Sequence, residues 1–248
     1  MLVTRRSFLA LAGAAPFARW GPTFSSGWGP TFRFARRSQA DEPFGPGQHP
    51  LNLNKGRDGI IYVPKGYKHG VATPLMVVLH GAGQTSAWAT RLFPLADEFG
   101  VLLLAPDSRD ERTWDMILGG FGADVEFILS ALTYARRHVT IDPSRRTLAG
   151  FSDGASYSLS LGIGMGDVFS KVIAFSPGIM QPEKTRGKPP IFISHGTSDG
   201  VLPIGVTSRV FVPRLQKLGY DVTYREFEGR HQVPDAIARE AFEWSLKK

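Results

Sequence analysis

Short apolar, β-branched runs alternate along this chain with longer segments of helical periodicity, and that alternation leaves few folds open. Candidate strands are Ile60–Val63, Leu75–Leu79, Val101–Leu104, Thr147–Gly150, Val172–Phe175, Ile191–Ser194 and Val222–Phe227. Candidate helices cover Ala87–Glu98, Asp124–His138, Gly154–Gly164, Val206–Leu218 and Asp235–Leu246. Several strand runs are unbroken rather than alternating, as expected when helices cover both faces of a sheet. The pattern predicts an α/β fold: a mostly parallel central sheet with right-handed crossovers. The chain's 248 residues suffice for one large domain of this kind and little more. In such sheets ligands bind beyond the carboxyl ends of the strands, so the residues just after each run carry the chemistry. They are His80-Gly81-Ala82-Gly83, Asp107, Ser152, Ser176, Asp199 and His231.

Charge is unevenly placed. The formal net charge is +7, but residues 1–40 hold six arginines, no lysine and no acid, so residues 41–248 are nearly neutral. No basic stripe remains there for a phosphate backbone, which argues against nucleic acid as a partner. The arginine-rich start has a better reading as an export leader. Thr4-Arg5-Arg6-Ser7-Phe8-Leu9-Ala10 resembles a twin-arginine signal, and the uncharged run Phe8–Ala18 that follows suits a signal peptide but is too short to span a bilayer. Small residues at Ala12-Gly13-Ala14 and at Ser38-Gln39-Ala40 offer two cleavage points, the second directly before the first acids. Trp-Gly-Pro-Thr-Phe occurs twice, at 20–24 and 28–32, too few copies for a repeat architecture. The chain thus divides into a leader (1–40), a Pro/Gly-rich linker (41–57) and one domain (58–248), destined for the periplasm or the exterior. It has no cysteine, which removes disulfides, thiolate metal sites and a cysteine nucleophile together.

Gly150-Phe151-Ser152-Asp153-Gly154 fits Gly-x-Ser-x-Gly between a strand and a helix. A serine on that turn has its hydroxyl pushed out of the sheet, and the flanking glycines relieve the crowding. Its hydroxyl needs a base, and of six histidines His231 lies just after the last strand and before the terminal helix. His195 is the second choice. Asp199, one strand earlier, is the acid that would hold the imidazole, giving the order Ser152, Asp199, His231. His80-Gly81-Ala82-Gly83 follows the second strand, where a first oxyanion loop is expected, with backbone N–H donors at Ala82 and Asp153. The loop lacks the Lys-Ser/Thr of a nucleotide phosphate loop.

Taken together, Leu79-His80-Gly81-Ala82-Gly83, Gly150–Gly154, Ser194–Asp199 and Arg230-His231-Gln232-Val233-Pro234 resemble the phospholipase/carboxylesterase family of the α/β-hydrolase fold, which includes acyl-protein thioesterases. The resemblance covers about residues 58–248. It implies hydrolysis of a small-molecule or lipid-like ester without metal or cofactor, with Ser152 as nucleophile, Asp199 as acid, His231 as base, and Ala82 and Asp153 as oxyanion donors. Asp153 departs from the neutral residue common after the nucleophile, and Arg230 from the usual glycine.

The fifteen residues between Phe175 and Ile191 include four prolines and leave no room for a helical lid. The longer segment Pro106–Gly122 carries Trp114 and Phe121, which with Trp88 are the candidate walls of an acyl or aromatic pocket. The expected activity is that of a serine carboxylesterase. A lysophospholipase, thioesterase, feruloyl esterase or polyester depolymerase shares the chemistry, and a binding protein that has lost catalysis is the remote alternative. Replacing Arg5 and Arg6 together by lysine should strand the protein in the cytoplasm, read by cell fractionation, because the export route reads the arginine pair as an address. Unchanged export of that variant would refute the leader assignment.

Overall fold

A computed structural model describes residues 42–247 of the chain. The leader assigned to residues 1–40, with its arginine pair, lies outside the described residues. Eight strands form one sheet: β1 (Gly47–Pro50), β2 (Gly59–Val63), β3 (Thr73–Leu79), β4 (Leu102–Pro106), β5 (Ile141–Phe151), β6 (Lys171–Phe175), β7 (Ile191–Gly196) and β8 (Val222–Phe227). Their order is β1-β2-β4-β3-β5-β6-β7-β8, with β1 and β2 antiparallel to their neighbours and the rest parallel. The helices are α1 (Phe93–Phe99), α2 (Asp115–Leu118), α3 (Ala123–His138), α4 (Asp153–Gly164), α5 (Ser208–Lys217) and α6 (Asp235–Leu246). None of the described helices is long and apolar enough to cross a membrane.

The unbroken strand runs are explained by what covers them. Along β3, Met76 and Val78 pack with α1 and α6 on one face, while Leu75, Val77 and Leu79 pack with α3 and Tyr157 of α4 on the other. A third cluster joins α4 and α5 to β6 and β7 through Leu159, Val172, Ile193 and Leu215. Because β3 sends the chain to β4 on one side and β5 lies on the other, the loops after β3 and β5 part at their carboxyl ends. That is the position at which parallel sheets of this kind bind ligands.

The structure alters four details of the sequence reading. The segment 41–57 is not wholly a linker, because Gly47–Pro50 pairs with Ile60–Val63 as an antiparallel edge strand. Such a strand is held by backbone pairing and needs no apolar run. Phe44 anchors it, stacked on His49 and His138 at ring distances of 4.3 Å, with its N–H on the His138 carbonyl. β5 extends back to Ile141 through polar, largely exposed residues that show no strand signal. The helix expected over Ala87–Glu98 is a 3-10 turn, Ser86–Leu92, followed by α1. Pro94 has no N–H to continue a helix through Leu92 and suits the first turn of a new one. The last difference is α5, which starts at Ser208 after a separate 3-10 turn over Ile204–Val206.

Residues 177–190 contain no helix and are tied down along α4. Ser156 Oγ accepts the N–H groups of Gly178 and Ile179, and Ser160 Oγ accepts that of Gln181. Phe44→Ala should cost roughly 1–2 kcal/mol, the burial of a half-covered aromatic ring, whereas exposed Lys55→Ala should cost under about 0.5 kcal/mol. Urea midpoints measure both; equal midpoints would mean that residues 42–50 are not part of the folded domain.

Candidate active site

Ser152 stands where β5 turns into α4. Its backbone has φ 58° and ψ −119°, and its N–H donates to the Phe175 carbonyl. A non-glycine residue in that region carries about 1–3 kcal/mol of strain, which surrounding contacts must hold. They are tight. A Cβ on Gly150 would lie 2.1 Å from the Gly154 carbonyl oxygen, and one on Gly154 2.3 Å from that of Leu79. Only glycine fits either position, so the sequence motif is a packing requirement.

His231 belongs to the loop between β8 and α6, and Asp199 to the loop after β7. The two loops are fastened together: Thr197 N–H donates to Phe227 O and Ser198 N–H to Gly229 O. Gly196 allows this approach, since a Cβ there would stand 2.4 Å from the Arg230 carbonyl. His231 Nδ1 then lies 2.6 Å from Asp199 Oδ2, and Nε2 lies 2.8 Å from Ser152 Oγ. The carboxylate fixes the proton on Nδ1, leaving the Nε2 lone pair to accept the serine hydroxyl. Asp199 Oδ1 accepts the N–H groups of Val201 and Leu202 at 2.9 Å each. Burial alone would raise the Asp199 pKa, but the Leu202 N–H, His231 and the Val201 N–H outweigh it and hold the carboxyl below its ordinary value.

The loop after β3 closes over the serine. A Cβ on Gly81 would approach Ser152 Cβ to 3.3 Å. Gly81 N–H donates to Gln84 Oε1 and Gly83 N–H to Arg112 O. Among the described residues, the N–H groups of Ala82 and Asp153 have no acceptor. They are thus available to an incoming oxygen, and the Asp153 amide also sits at the positive end of α4. The loop is braced from behind. His80 Nε2 accepts the Ser108 N–H, so its Nδ1 carries the proton and donates to the Gly81 carbonyl. Arg57 donates to the carbonyls of Gln84 and Ser108. Arg57, Gln84 and Ser108 are lone polar residues outside any motif, and nothing in the sequence marks them.

Of the three candidate pocket walls, the structure moves two elsewhere. Trp114 is fully buried, its indole N–H donating to the His80 carbonyl and its ring against Tyr157, so it supports the loop after β3 from within the core. Phe121 packs edge-on against Tyr157 and lines a cavity of about 240 Å³ with Val125, Leu129, Leu161 and Met165, beside the carboxyl end of α4 and away from Ser152. Trp88 is near the chemistry: it stacks on Phe151 at 5.5 Å, and Phe151 in turn lies 4.8 Å from the His231 ring. Asp153 turns its carboxylate to the Thr113 hydroxyl, 2.5 Å away, and Arg230 is exposed. His195 is buried and hydrogen-bonded to Ser208 and Leu202 rather than to Ser152.

The sequence matches the model of the phospholipase/carboxylesterase family over residues 116–242. No curated protein sequence matches it. Among solved structures it is similar to esterase PE8 (24% identity, 75% of this chain and 96% of the other, TM-score 0.62). It is also similar to a phospholipase/carboxylesterase from Dyadobacter fermentans (21% identity, 79% and 100%, TM-score 0.60). A third is the fluorophosphonate-binding serine hydrolase F of Staphylococcus aureus (15% identity, 82% and 100%, TM-score 0.66). At these identities the structures speak for the fold alone.

Burial, above all other causes, holds His80 and His195 below the ordinary histidine pKa of 6.5. Both are therefore neutral in the folded chain at pH values where the unfolded chain binds protons. Their stabilising effect is complete above about pH 6.5 and is lost as pH falls through the lower folded values. Urea midpoints should decline from about pH 7 towards pH 5; a flat curve over that window would refute the neutral assignment.

Proposed function

This chain belongs to the phospholipase/carboxylesterase family of ester hydrolases, and from that premise we propose that it cleaves carboxylic esters through a covalent acyl-enzyme formed on Ser152. The observation that carries the reading is the unbroken line Ser152–His231–Asp199 beside two unengaged backbone N–H groups. In the first half-reaction Ser152 Oγ attacks the ester carbonyl carbon as its proton passes to His231 Nε2. Asp199 keeps Nδ1 protonated and stabilises the imidazolium. The carbonyl oxygen takes the negative charge and is met by the Ala82 and Asp153 amides. Collapse of the adduct breaks the bond to the alcohol oxygen, which receives the proton from Nε2. Water then repeats the sequence: His231 takes its proton, hydroxide oxygen joins the acyl carbon, and Ser152 leaves with its hydroxyl restored. The reaction consumes one water and releases one acid and one alcohol.

An apolar acyl group suits two exposed side chains whose backbones bond to Asp199 and Ser156. Val201 is 65% exposed and Ile179 37%, and their loops meet where Leu202 packs over Gly178. Asp153 is turned away to Thr113 and leaves the amide beside it free for the oxyanion. The same chemistry serves an oxygen ester or a thioester.

Ser152→Ala should abolish both fluorophosphonate labelling and hydrolysis of nitrophenyl esters, a loss of at least ~10⁴ in turnover. Asp199→Asn should lose roughly 10²–10⁴, because the amide holds the wrong imidazole tautomer. Asp221→Asn and Asp235→Asn should stay near wild type. Substantial activity in Ser152→Ala would place the nucleophile elsewhere, and a fully active Asp199→Asn would displace the acid.

A further inference from the structure

We infer that His195 is a positioning residue for Asp199: a second histidine that holds the acid's loop and takes up part of its charge. The inference rests on the reading of Ser152, His231 and Asp199 as the catalytic groups. His195 sits near the end of β7 with its side chain fully buried. Its Nε2 lies 2.7 Å from the Leu202 carbonyl oxygen and 3.2 Å from Asp199 Oδ2, while Nδ1 lies 2.7 Å from Ser208 Oγ.

Two oxygens with no hydrogen of their own face Nε2, so that nitrogen carries the proton. Nδ1 is then an acceptor and the Ser208 hydroxyl its donor. The opposite tautomer would set a lone pair against both a carbonyl and a carboxylate. Ser208, at the start of α5, thus selects the tautomer that Asp199 needs. The contacts close a ring. Leu202 N–H donates to Asp199 Oδ1, the Leu202 carbonyl accepts from His195, and His195 Nε2–H faces Asp199 Oδ2. His231 uses the same Oδ2 from the other side. One carboxylate oxygen therefore lies within 3.2 Å of two imidazoles, only one of which reaches Ser152.

Other ionisable groups do not disturb this arrangement. Glu226 lies opposite His195 in the β7–β8 register, but Arg209 of α5 and the Tyr224 hydroxyl engage its carboxylate. That leaves Asp199 and, beyond it, His231 as the ionisable partners. Removing His195 frees the Asp199 side chain to turn and returns charge to Oδ2, which strengthens its hold on the His231 imidazolium. The first effect lowers turnover, and the second moves the acid limb of the pH profile upward.

The test is a pH profile of kcat/KM on a nitrophenyl ester for the full chain and three variants. His195→Leu should lose about tenfold or more in kcat with little change in KM, as is usual for residues that orient a catalytic group, and its acid limb should shift to higher pH. His195→Gln, whose amide N–H reaches towards Leu202 O, should recover most of the activity and the wild-type limb. Ser208→Ala should show a smaller loss with the same direction of shift, and it serves alone if His195→Leu does not fold. A folded His195→Leu, or Ser208→Ala, with wild-type kcat and acid limb would overturn the inference. So would equal impairment of the Leu and Gln variants, which would reduce His195 to a packing residue. Ser152→Ala is the control: if it stays active, the reading of the site has failed, and if it is dead the His195 result stands on its own.

Discussion

At the carboxyl end of β5, the backbone of α4 comes so close to the strands that a single added carbon would collide. A Cβ on Gly154 would reach 2.3 Å from Leu79 O and 2.4 Å from His80 O, and one on Gly150 would reach 2.1 Å from Gly154 O. This contact sets three things at once. It forces Ser152 to φ 58°, lifting its hydroxyl out of the sheet. It lays the first turn of α4, with the Asp153 amide, against the end of β3, from which the loop carrying Ala82 departs. It also brings Gly81 beside Ser152, which leaves the loop after β3 little freedom. The rest of the site is built around a position that glycine alone permits.

The polar groups of the site are buried, which makes their mutual satisfaction decisive. Asp199 is 5% exposed, and an unpaired carboxylate so placed would protonate rather than stay charged. Two backbone N–H groups on Oδ1 and the histidines on Oδ2 keep it ionised. His80 and His195 play matching parts on opposite sides of Ser152. Burial lowers the pKa of each, and each has its tautomer fixed by a neighbour: Ser108 N–H for His80 and the Ser208 hydroxyl for His195. Each ties the loop after its own strand to a neighbouring segment. The strand-end His-Gly pairs are thus loop supports rather than bases.

How much of this was legible in the sequence depends on what kind of force marks a residue. Buried strands announce themselves because both their faces must be apolar, and β3, β6 and β7 were placed to within two residues. Ser152, Asp199 and His231 stood out because each follows a strand, and in a parallel sheet that edge is shared. Backbone-driven features left no such trace. β1 is a strand because its N–H and C=O groups pair with β2, and Gly-Gln-His-Pro carries no periodicity to betray it. Arg57 lies in the stretch read as a linker, yet its guanidinium bridges Gln84 and Ser108. One arginine among many signals nothing until the fold brings its partners together. Trp114 was misplaced for a related reason: a large aromatic in a long loop suits a pocket wall or a buried prop equally well. The indole's single N–H decides between them, since His80 O is a buried acceptor within reach.

The same economy of contacts extends to the loops after β6 and β7. Ser156 lies one turn into α4 and its hydroxyl serves three groups: it donates to Ser152 O and accepts from Gly178 N–H and Ile179 N–H. The loop that presents Ile179 is therefore hung from the carbonyl of the proposed nucleophile through one oxygen atom. Gly178 allows Leu202 to pack directly on that loop, and Leu202 is the residue whose N–H holds Asp199 and whose carbonyl holds His195. Ile179, Val201 and Asp199 are thereby fixed relative to Ser152 by short chains of hydrogen bonds rather than by the distant core. An acyl chain resting on Ile179 and Val201 would touch the same short chains of bonds that hold the acid. On the proposed reading, the apolar part of a substrate and the imidazole are thereby linked through the hydrogen bonds of Leu202 and Ser156.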